Sequence, residues 1–187
     1  MNATNPTDVS CECPGKGIVL LSLLIALVGT AASLWLSIGM GLKGCPLCFY
    51  QRSFVLAAAG ALLFGLGAKN GSERGLSLAI ATFSTAAGMG VAGFHVSLEM
   101  RGVLECPKGL FDVGTVPPQS LALFVILFGA LAAGSRGIYL KRFLLAVVLG
   151  AVAAYGCIAS APPIVKPTKP YTVPLEICRP PFIVPPA

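Results

Sequence analysis

The chain has 187 residues, of which 56% are hydrophobic and only 11% are charged. A soluble globular domain usually carries about 25% charged residues, so this composition argues against a soluble protein. The formal net charge is +6, but the thirteen Lys and Arg residues are scattered over the polar segments and form no basic patch. Such scattered charges are typical of the flanks of membrane helices, and they argue against a nucleic-acid partner.

Five apolar segments are candidates for membrane-spanning helices, each of which needs roughly 20 mostly apolar residues. They cover residues 18–42, 49–68, 76–98, 120–134 and 143–164. We interpret the first as a retained helix rather than a signal peptide, because it is long and is preceded by a single basic residue, Lys16. We therefore expect a polar N-terminal tail over residues 1–16, one helical membrane domain over 17–164 and an extended tail over 165–187.

The polar segments between these helices differ in length and composition. Residues 69–75 (KNGSERG) predict a tight turn, whereas residues 99–119 form a longer loop that contains Cys106 and the Pro117-Pro118 pair. The segment 162–187 contains nine prolines and therefore cannot be helical throughout. We expect it to form an extended strap that carries Cys178 over the outer face of the protein.

A C-x-x-C motif, Cys45-Pro46-Leu47-Cys48, lies where the first apolar segment ends and the second begins. Two cysteines at this spacing can close a small disulfide that exchanges readily. At a helix start, the second sulfur is close to exposed N–H groups and to the positive end of the helix dipole. Arg52 follows Cys48 by four residues and shares its helix face, where it favours a thiolate or an anionic ligand. The motif predicts thiol–disulfide exchange at a membrane surface.

The C-x-x-C-x-Y-x-R arrangement at the start of the second helix resembles the disulfide bond formation protein B (DsbB) family, the quinone-linked thiol oxidases of the bacterial inner membrane. The resemblance covers roughly residues 17–135, and it includes His95 near the end of the third helix, where the family places a histidine close to the quinone. It implies an all-α integral membrane protein: a four-helix bundle, here with a fifth transmembrane helix and a proline-rich outer tail.

The resemblance also implies the role of each site residue. Cys48 would face the quinone, Arg52 would stabilise negative charge on the thiolate and the quinone, and His95 would contact the quinone. Cys45 would exchange with a second cysteine pair, which passes oxidising equivalents to a thioredoxin-like dithiol protein. The implied cofactor is ubiquinone or menaquinone, with no metal.

The orientation follows from the short loops and from the cysteines. Residues 69–75 and 135–142 are densely basic, which favours the cytoplasmic side for both, although the Lys and Arg totals on the two sides, six and seven, do not decide. Cys45, Cys48, Cys106 and Cys178 then all lie on the periplasmic side, where disulfides persist. We expect a multi-pass protein of the bacterial inner membrane.

The second cysteine pair departs from the family pattern, which places both cysteines in the second outer loop. Here that loop contains Cys106 alone, and the next outer cysteine is Cys178 in the tail. We hypothesise that Cys106 and Cys178 pair with each other. The pair would either shuttle electrons, like Cys45 and Cys48, or act as a static bridge that fastens the tail.

Three further cysteines and two other functions remain open. Cys157 lies in an apolar helix and is expected to be a packing residue, while Cys11 and Cys13 lack the further ligands that a metal site needs. The long tail also fits a non-catalytic accessory subunit of a larger membrane complex, which predicts an inert Cys45–Cys48 pair. A vitamin K epoxide reductase-like enzyme fits less well, because it carries its active C-x-x-C near the end of its last core helix.

Overall fold

The computed structural model describes residues 16–134, 138–165 and 167–182. These residues contain five α-helices: α1 (Lys16–Ile38), α2 (Pro46–Gly67), α3 (Gly71–Met100), α4 (Val116–Gly134) and α5 (Ile138–Ala159). Each is long and apolar enough to cross a membrane. The expected all-helical architecture with five candidate spans is confirmed. Cys11 and Cys13 lie outside the described residues.

All five helices begin two to five residues earlier than the apolar pattern predicts, and the local sequence explains this for α3 and α4. Helix α3 begins at Gly71, within the segment expected to be a turn, because Asn70 precedes it in extended conformation and Glu73 lies in its first turn. A negative charge there interacts favourably with the helix dipole. Helix α4 includes Pro117 and Pro118 in its first turn, where a proline removes no intrahelical hydrogen bond.

The first four helices form a ring in which α1 packs on α2 and α4, and α3 also packs on α2 and α4. The core between them is built from large apolar side chains that are almost fully buried, with Val19, Leu62, Phe124, Leu127 and Leu131 among them. Helix α5 lies outside this ring and packs mainly on α3. The fifth helix therefore supports α3, which carries His95, from the side opposite to the core.

The contact between α3 and α5 depends on small residues. A Cβ atom added at Gly150 of α5 would lie 2.6 Å from the backbone oxygen of Phe83 and 2.8 Å from Cβ of Ala86. Because one of these neighbours is backbone, no side-chain rotation can relieve the overlap. Glycine at this position allows the two helices to approach closely.

Replacing Gly150 with alanine should lower the stability of the folded protein by about 1–3 kcal/mol, as overpacking does. The matched control is Gly129→Ala in α4, where an added Cβ meets nothing within 4 Å. Thermal unfolding in detergent measures both variants. If α5 packs as described, Gly150→Ala should lower the midpoint while Gly129→Ala leaves it unchanged or raises it.

The proline-rich tail lies against the 99–115 loop and is fastened there. Cys106 and Cys178 form a disulfide, and Glu105 and Arg179 exchange two backbone hydrogen bonds of 2.8 and 3.0 Å. The Lys43 backbone N–H donates to the Glu176 backbone carbonyl, and the Lys43 ammonium pairs with the Glu176 carboxylate at 3.1 Å. The expected pairing of Cys106 with Cys178 is thus present, and residues 160–165 and 167–182 contain no helix.

Candidate redox site

The C-x-x-C motif forms the N-terminus of α2. Cys45 caps the helix in extended conformation, with its sulfur accepting a hydrogen bond from the Cys48 N–H at 3.3 Å, and Pro46 is the first helical residue. The sulfur atoms of Cys45 and Cys48 lie 2.8 Å apart. Proline fits here because the first helical N–H has no intrahelical partner. The cap places both sulfurs on the same side of the helix end.

His95 joins the two cysteine pairs. It is fully buried on α3, and its Nε2 atom lies 3.5 Å from the sulfur of Cys106 and 3.9 Å from that of Cys45. The sulfurs of Cys45, Cys48 and Cys178 and a ring nitrogen of His95 all lie within 4.8 Å of one another. Both pairs and the histidine therefore form a single site, although they come from four separate parts of the chain.

A chain of hydrogen bonds orients the histidine ring. Gln51 Nε2 donates to His95 Nδ1 at 3.2 Å, and the Ser120 hydroxyl of α4 donates to Gln51 Oε1. Because Nδ1 accepts, the proton of the neutral ring lies on Nε2, the atom that faces the sulfurs. His95 is thus positioned to donate a hydrogen bond to a thiolate of either pair.

An apolar cavity of about 250 Å³ opens beside Cys48, between α1, α2 and α4. Its lining includes Val28, Ala32, Leu36, Val55, Leu123 and Phe124. The polar residues of the lining are Cys48, Gln51 and Arg52 of α2, Ser33 and Ser37 of α1, Gln119 and Ser120 of α4, and Lys43, and Cys178 of the strap also lines it. The cavity thus combines an apolar slot with the Cys48 thiol and the Arg52 guanidinium, a composition that suits a flat, weakly polar ring.

Arg52 is held by α1. Its Nε donates to the Ser33 hydroxyl at 2.9 Å, and its terminal Nη2 donates to the Ser37 hydroxyl at 2.7 Å and to the Ser33 carbonyl at 3.1 Å. All three acceptors are neutral, and among residues 16–134, 138–165 and 167–182 no carboxylate forms an ion pair with this guanidinium. Arg52 therefore keeps a net positive charge at the cavity wall, where it favours an anion.

The expected contact of His95 with a quinone stays a prediction, and the structure places this residue beside the cavity rather than on its wall. The cavity lining does not include His95, whose nearest polar neighbours are Gln51, Cys45 and Cys106. Gln51 is on the lining and is hydrogen-bonded to the histidine, so it connects His95 to the cavity. The position of His95 fits exchange between the pairs better than direct contact with a ligand in the cavity.

Comparison with known proteins identifies the family. The family model described as "Disulfide bond formation protein DsbB" matches residues 15–122. The chain belongs to the DsbB family. A Disulfide bond formation protein B of Chromohalobacter salexigens is 35% identical over 118 residues, which cover 59% of this chain and 67% of that protein. The chain is thus a multi-pass membrane protein of the disulfide bond formation family.

Two further relatives show how much of the chain is shared. A Disulfide bond formation protein B of Burkholderia pseudomallei is 29% identical over 105 residues, covering 55% of this chain and 62% of that protein. The SPbeta prophage-derived disulfide bond formation protein B of Bacillus subtilis is 29% identical over 126 residues, covering 61% and 82%. No solved structure matches the chain. Because the DsbB family match ends at residue 122, α5 and the Cys178 strap lie outside it.

Sequence reasoning missed the residues that hold the DsbB motif in place. Gln51 stands between Tyr50 and Arg52 of the motif. The feature that could have drawn attention to it is a polar amide side chain within an apolar helix. Ser33 and Ser37 are spaced four residues apart, so they share one face of α1. That spacing indicates a polar stripe, but it does not indicate which side chain of another helix the stripe binds.

Three sulfurs and one imidazole within 4.8 Å also resemble a soft-metal ligand set. Metal binding requires thiolates, however, and the Cys178 sulfur is bonded to Cys106 in the disulfide. In this state the cluster offers at most two thiolates and one imidazole. The arrangement is better described as a disulfide in contact with a second cysteine pair than as a metal centre.

The Cys45 thiol ionises easily in the reduced protein. A hydrogen bond from Cys48 is the main cause, and contact with His95 adds to it, so that the pKa of Cys45 falls from 9.0 to about 5 although burial opposes the shift. A lowered pKa means that the thiolate is the stable form at neutral pH and becomes protonated only as the pH falls through about 5. Cys45 is therefore a good leaving group from a mixed disulfide with a cysteine outside its own pair.

This ionisation gives a spectroscopic prediction. On acid titration of the reduced protein, the ultraviolet absorbance of the thiolate should fall with a midpoint near pH 5. The transition should disappear in Cys45→Ser, and in His95→Ala it should move to higher pH because one stabilising contact is lost. A midpoint near that of an ordinary thiol would contradict this description of Cys45.

Proposed function

We propose that this chain is a quinone-dependent thiol–disulfide oxidoreductase. Electrons pass from a periplasmic, thioredoxin-like dithiol protein to Cys106–Cys178, then to Cys45–Cys48, and finally to ubiquinone or menaquinone in the bacterial inner membrane. The observation that carries the proposal is the packing of both cysteine pairs around His95, with Cys48 also exposed to the apolar cavity. The cysteines and the C-terminal strap lie on the periplasmic side.

The cavity beside Cys48 fits a quinone head group on three grounds. Its walls are mostly apolar, Cys48 and Arg52 both line it, and within the described part of the chain no carboxylate pairs with Arg52. When bound, a quinone supplies the acceptor for two electrons and two protons. Cys48 and Arg52 would hold it, and the side chains of α1 and α4 would exclude water.

The protein's own residues account for the other steps. Cys178 attacks the Cys45 sulfur, and Cys48 leaves as a thiolate at the cavity wall. Arg52 stabilises that negative charge, since a fixed cation is worth far more in an apolar site than in water. His95 Nε2 donates to the thiolates of Cys45 and Cys106 as they form, so no buried sulfur is left charged without a partner.

Quinone reduction by the purified protein tests this function. The protein is supplied with a reduced thioredoxin-type dithiol and a soluble quinone analogue, and quinone absorbance is followed. Cys48→Ser and Cys106→Ala should each abolish turnover. Cys157→Ala is the matched control, because Cys157 is a free, half-buried cysteine of α5 that does not line the cavity, and it should retain full activity.

The same measurement separates the proposal from its alternatives. Activity that needs Cys48 but not Cys106 would make Cys106–Cys178 a static bridge, with the partner exchanging directly with Cys45–Cys48. If no quinone or dithiol supports turnover, the enzymatic function is excluded, and a role as an accessory subunit of a larger membrane complex is favoured. Retained activity in Cys48→Ser would exclude the assigned path altogether.

A further inference from the structure

We infer that Cys178, and not Cys106, is the sulfur that the dithiol partner attacks. The partner reaches it through a groove that the C-terminal strap and the segment after α5 form against the facing ends of α2 and α3. This inference rests on the proposed function and specifies how its first step occurs. It concerns the part of the chain that lies beyond the family match, which ends at residue 122. Three observations carry it.

The first observation is that the two sulfurs of the second pair differ in accessibility. Cys106 is only 6% exposed and lies against His95, whereas Cys178 is half-buried. An attacking thiolate must approach along the S–S axis from the far side of the sulfur that it attacks, so access to that sulfur limits the reaction. Burial therefore favours Cys178 as the point of attack.

The second observation is a groove of about 400 Å³ that leads to Cys178. Cys45 of the first pair and Cys178 of the second pair line the groove, whereas Cys106 does not. The other lining residues are mostly apolar, among them Leu98, Leu104, Ile158, Pro163, Val165 and Pro180. A groove that is apolar along its walls and carries disulfide sulfur fits an extended apolar segment of a protein that bears a reactive cysteine.

The third observation concerns the leaving group. If Cys178 is attacked, the electron pair of the broken bond goes to Cys106, whose sulfur lies 3.5 Å from His95 Nε2. The Gln51 hydrogen bond keeps a proton on that nitrogen. A buried thiolate would be costly without such a donor, so His95 selects Cys106 as the sulfur that leaves.

The exchange proceeds in four displacement steps, each of which breaks one sulfur–sulfur bond and forms another. The partner's first thiolate bonds to Cys178, the Cys106–Cys178 bond breaks, and Cys106 becomes a thiolate that accepts a hydrogen bond from His95. The partner's second thiolate then attacks its own first sulfur, which releases Cys178 as a thiolate and leaves the partner oxidised. Cys178 next attacks Cys45 of an oxidised Cys45–Cys48 pair and expels Cys48. Cys106 finally re-forms its bond to Cys178 and releases Cys45, so two electrons have moved.

Trapping the mixed disulfide tests the point of attack without any quinone. The full chain with Cys45→Ser, which blocks onward transfer, is mixed with a reduced thioredoxin that retains only its first active-site cysteine. The reaction is stopped with acid at early times, free thiols are alkylated, and mass spectrometry locates the joined peptide. We expect adduct at Cys178 to exceed adduct at Cys106 by at least about tenfold, equivalent to ~1.4 kcal/mol in activation free energy.

Adduct mainly at Cys106, or equal adduct at both cysteines, overturns the inference. So does the absence of any adduct. None of these results decides whether Cys48 reduces a quinone, because the assay contains none. Failure of this inference is therefore distinguishable from failure of the proposed function.

A second pair of variants tests the groove as the route. Ala161→Phe fills the groove, while Ala159→Phe adds the same ring at an exposed position of the same helix end. Ala161→Phe should slow adduct formation with the thioredoxin probe by about tenfold. The partner would have to pack against a filled groove, and overpacking raises the activation free energy by an amount of this size. Ala159→Phe should leave the rate unchanged. Equal rates in both variants, or equal slowing in both, would exclude this route.

Discussion

Replacing His95 with alanine is expected to slow electron transfer between the two cysteine pairs by about 100- to 10,000-fold, the usual contribution of a positioned acid or base. The reason is that Nε2 lies 3.5 Å from Cys106 and 3.9 Å from Cys45, so it can stabilise a thiolate of either pair. Stopped-flow mixing of oxidised protein with a reduced thioredoxin-type dithiol measures the rate. In the variant, the rate should also depend more steeply on pH.

Two further variants separate the chemistry of His95 from its packing. His95→Gln retains a hydrogen-bond donor and should restore part of the rate, because donation to the thiolate survives while proton exchange does not. Thr85→Ala is the control, since it removes another buried polar side chain from α3, one that bonds only the Ala81 carbonyl among the contacts seen. If Thr85→Ala slows transfer as much as His95→Ala does, the loss of rate comes from disturbed packing of α3, and the role assigned to His95 is wrong.

Replacing Arg52 with methionine is expected to lower kcat for quinone reduction by about 100- to 1,000-fold, the loss typical of removing one preorganised electrostatic group. Methionine keeps much of the apolar volume but removes the charge that faces Cys48 and the cavity. The hydrogen bonds to Ser33 and Ser37 are lost as well. Steady-state quinone reduction at saturating dithiol measures this effect.

Comparison with the other basic residues makes this prediction specific. Arg52→Lys should recover only part of kcat, because an ammonium cannot reach Ser33 and Ser37 together in the geometry of the guanidinium. Arg142→Met is the matched control at an exposed position of α5 and should leave kcat unchanged. Exchange between the cysteine pairs should proceed normally in Arg52→Met, since Arg52 acts at the cavity. Slowed exchange there would place Arg52 at the wrong step.

Much of the fold could be predicted from the sequence, because membrane helices are recognisable as long apolar segments. All five were placed, and the pairing of Cys106 with Cys178 was hypothesised from the positions of the cysteines along the chain. The helix ends were less predictable. Helix α3 has 30 residues and begins at Gly71, since the charged residues of its first turn resemble a loop in composition while their backbone is helical.

The orientation of His95 shows what sequence reasoning did not reveal. Its position in the chain indicated a quinone contact by resemblance, yet its ring faces the sulfurs, with Gln51 rather than His95 on the cavity wall. The direction in which a buried side chain points depends on the rotation of its helix. Rotation is set by packing against α2, α4 and α5, and the sequence of α3 does not specify which of these neighbours each side chain faces.

The sequence by itself determined the chemistry that is local along the chain: the C-x-x-C spacing, the proline that begins α2 and the arginine one turn beyond Cys48. These features follow from helix geometry over eight residues, which any α-helix imposes. Only the tertiary structure decided that the four sulfurs meet at one histidine, that Gln51 and Ser120 orient it, and that a groove leads to Cys178. Most of these contacts join residues 44 to 72 positions apart. Such distant contacts depend on how the helices pack against one another rather than on any local pattern.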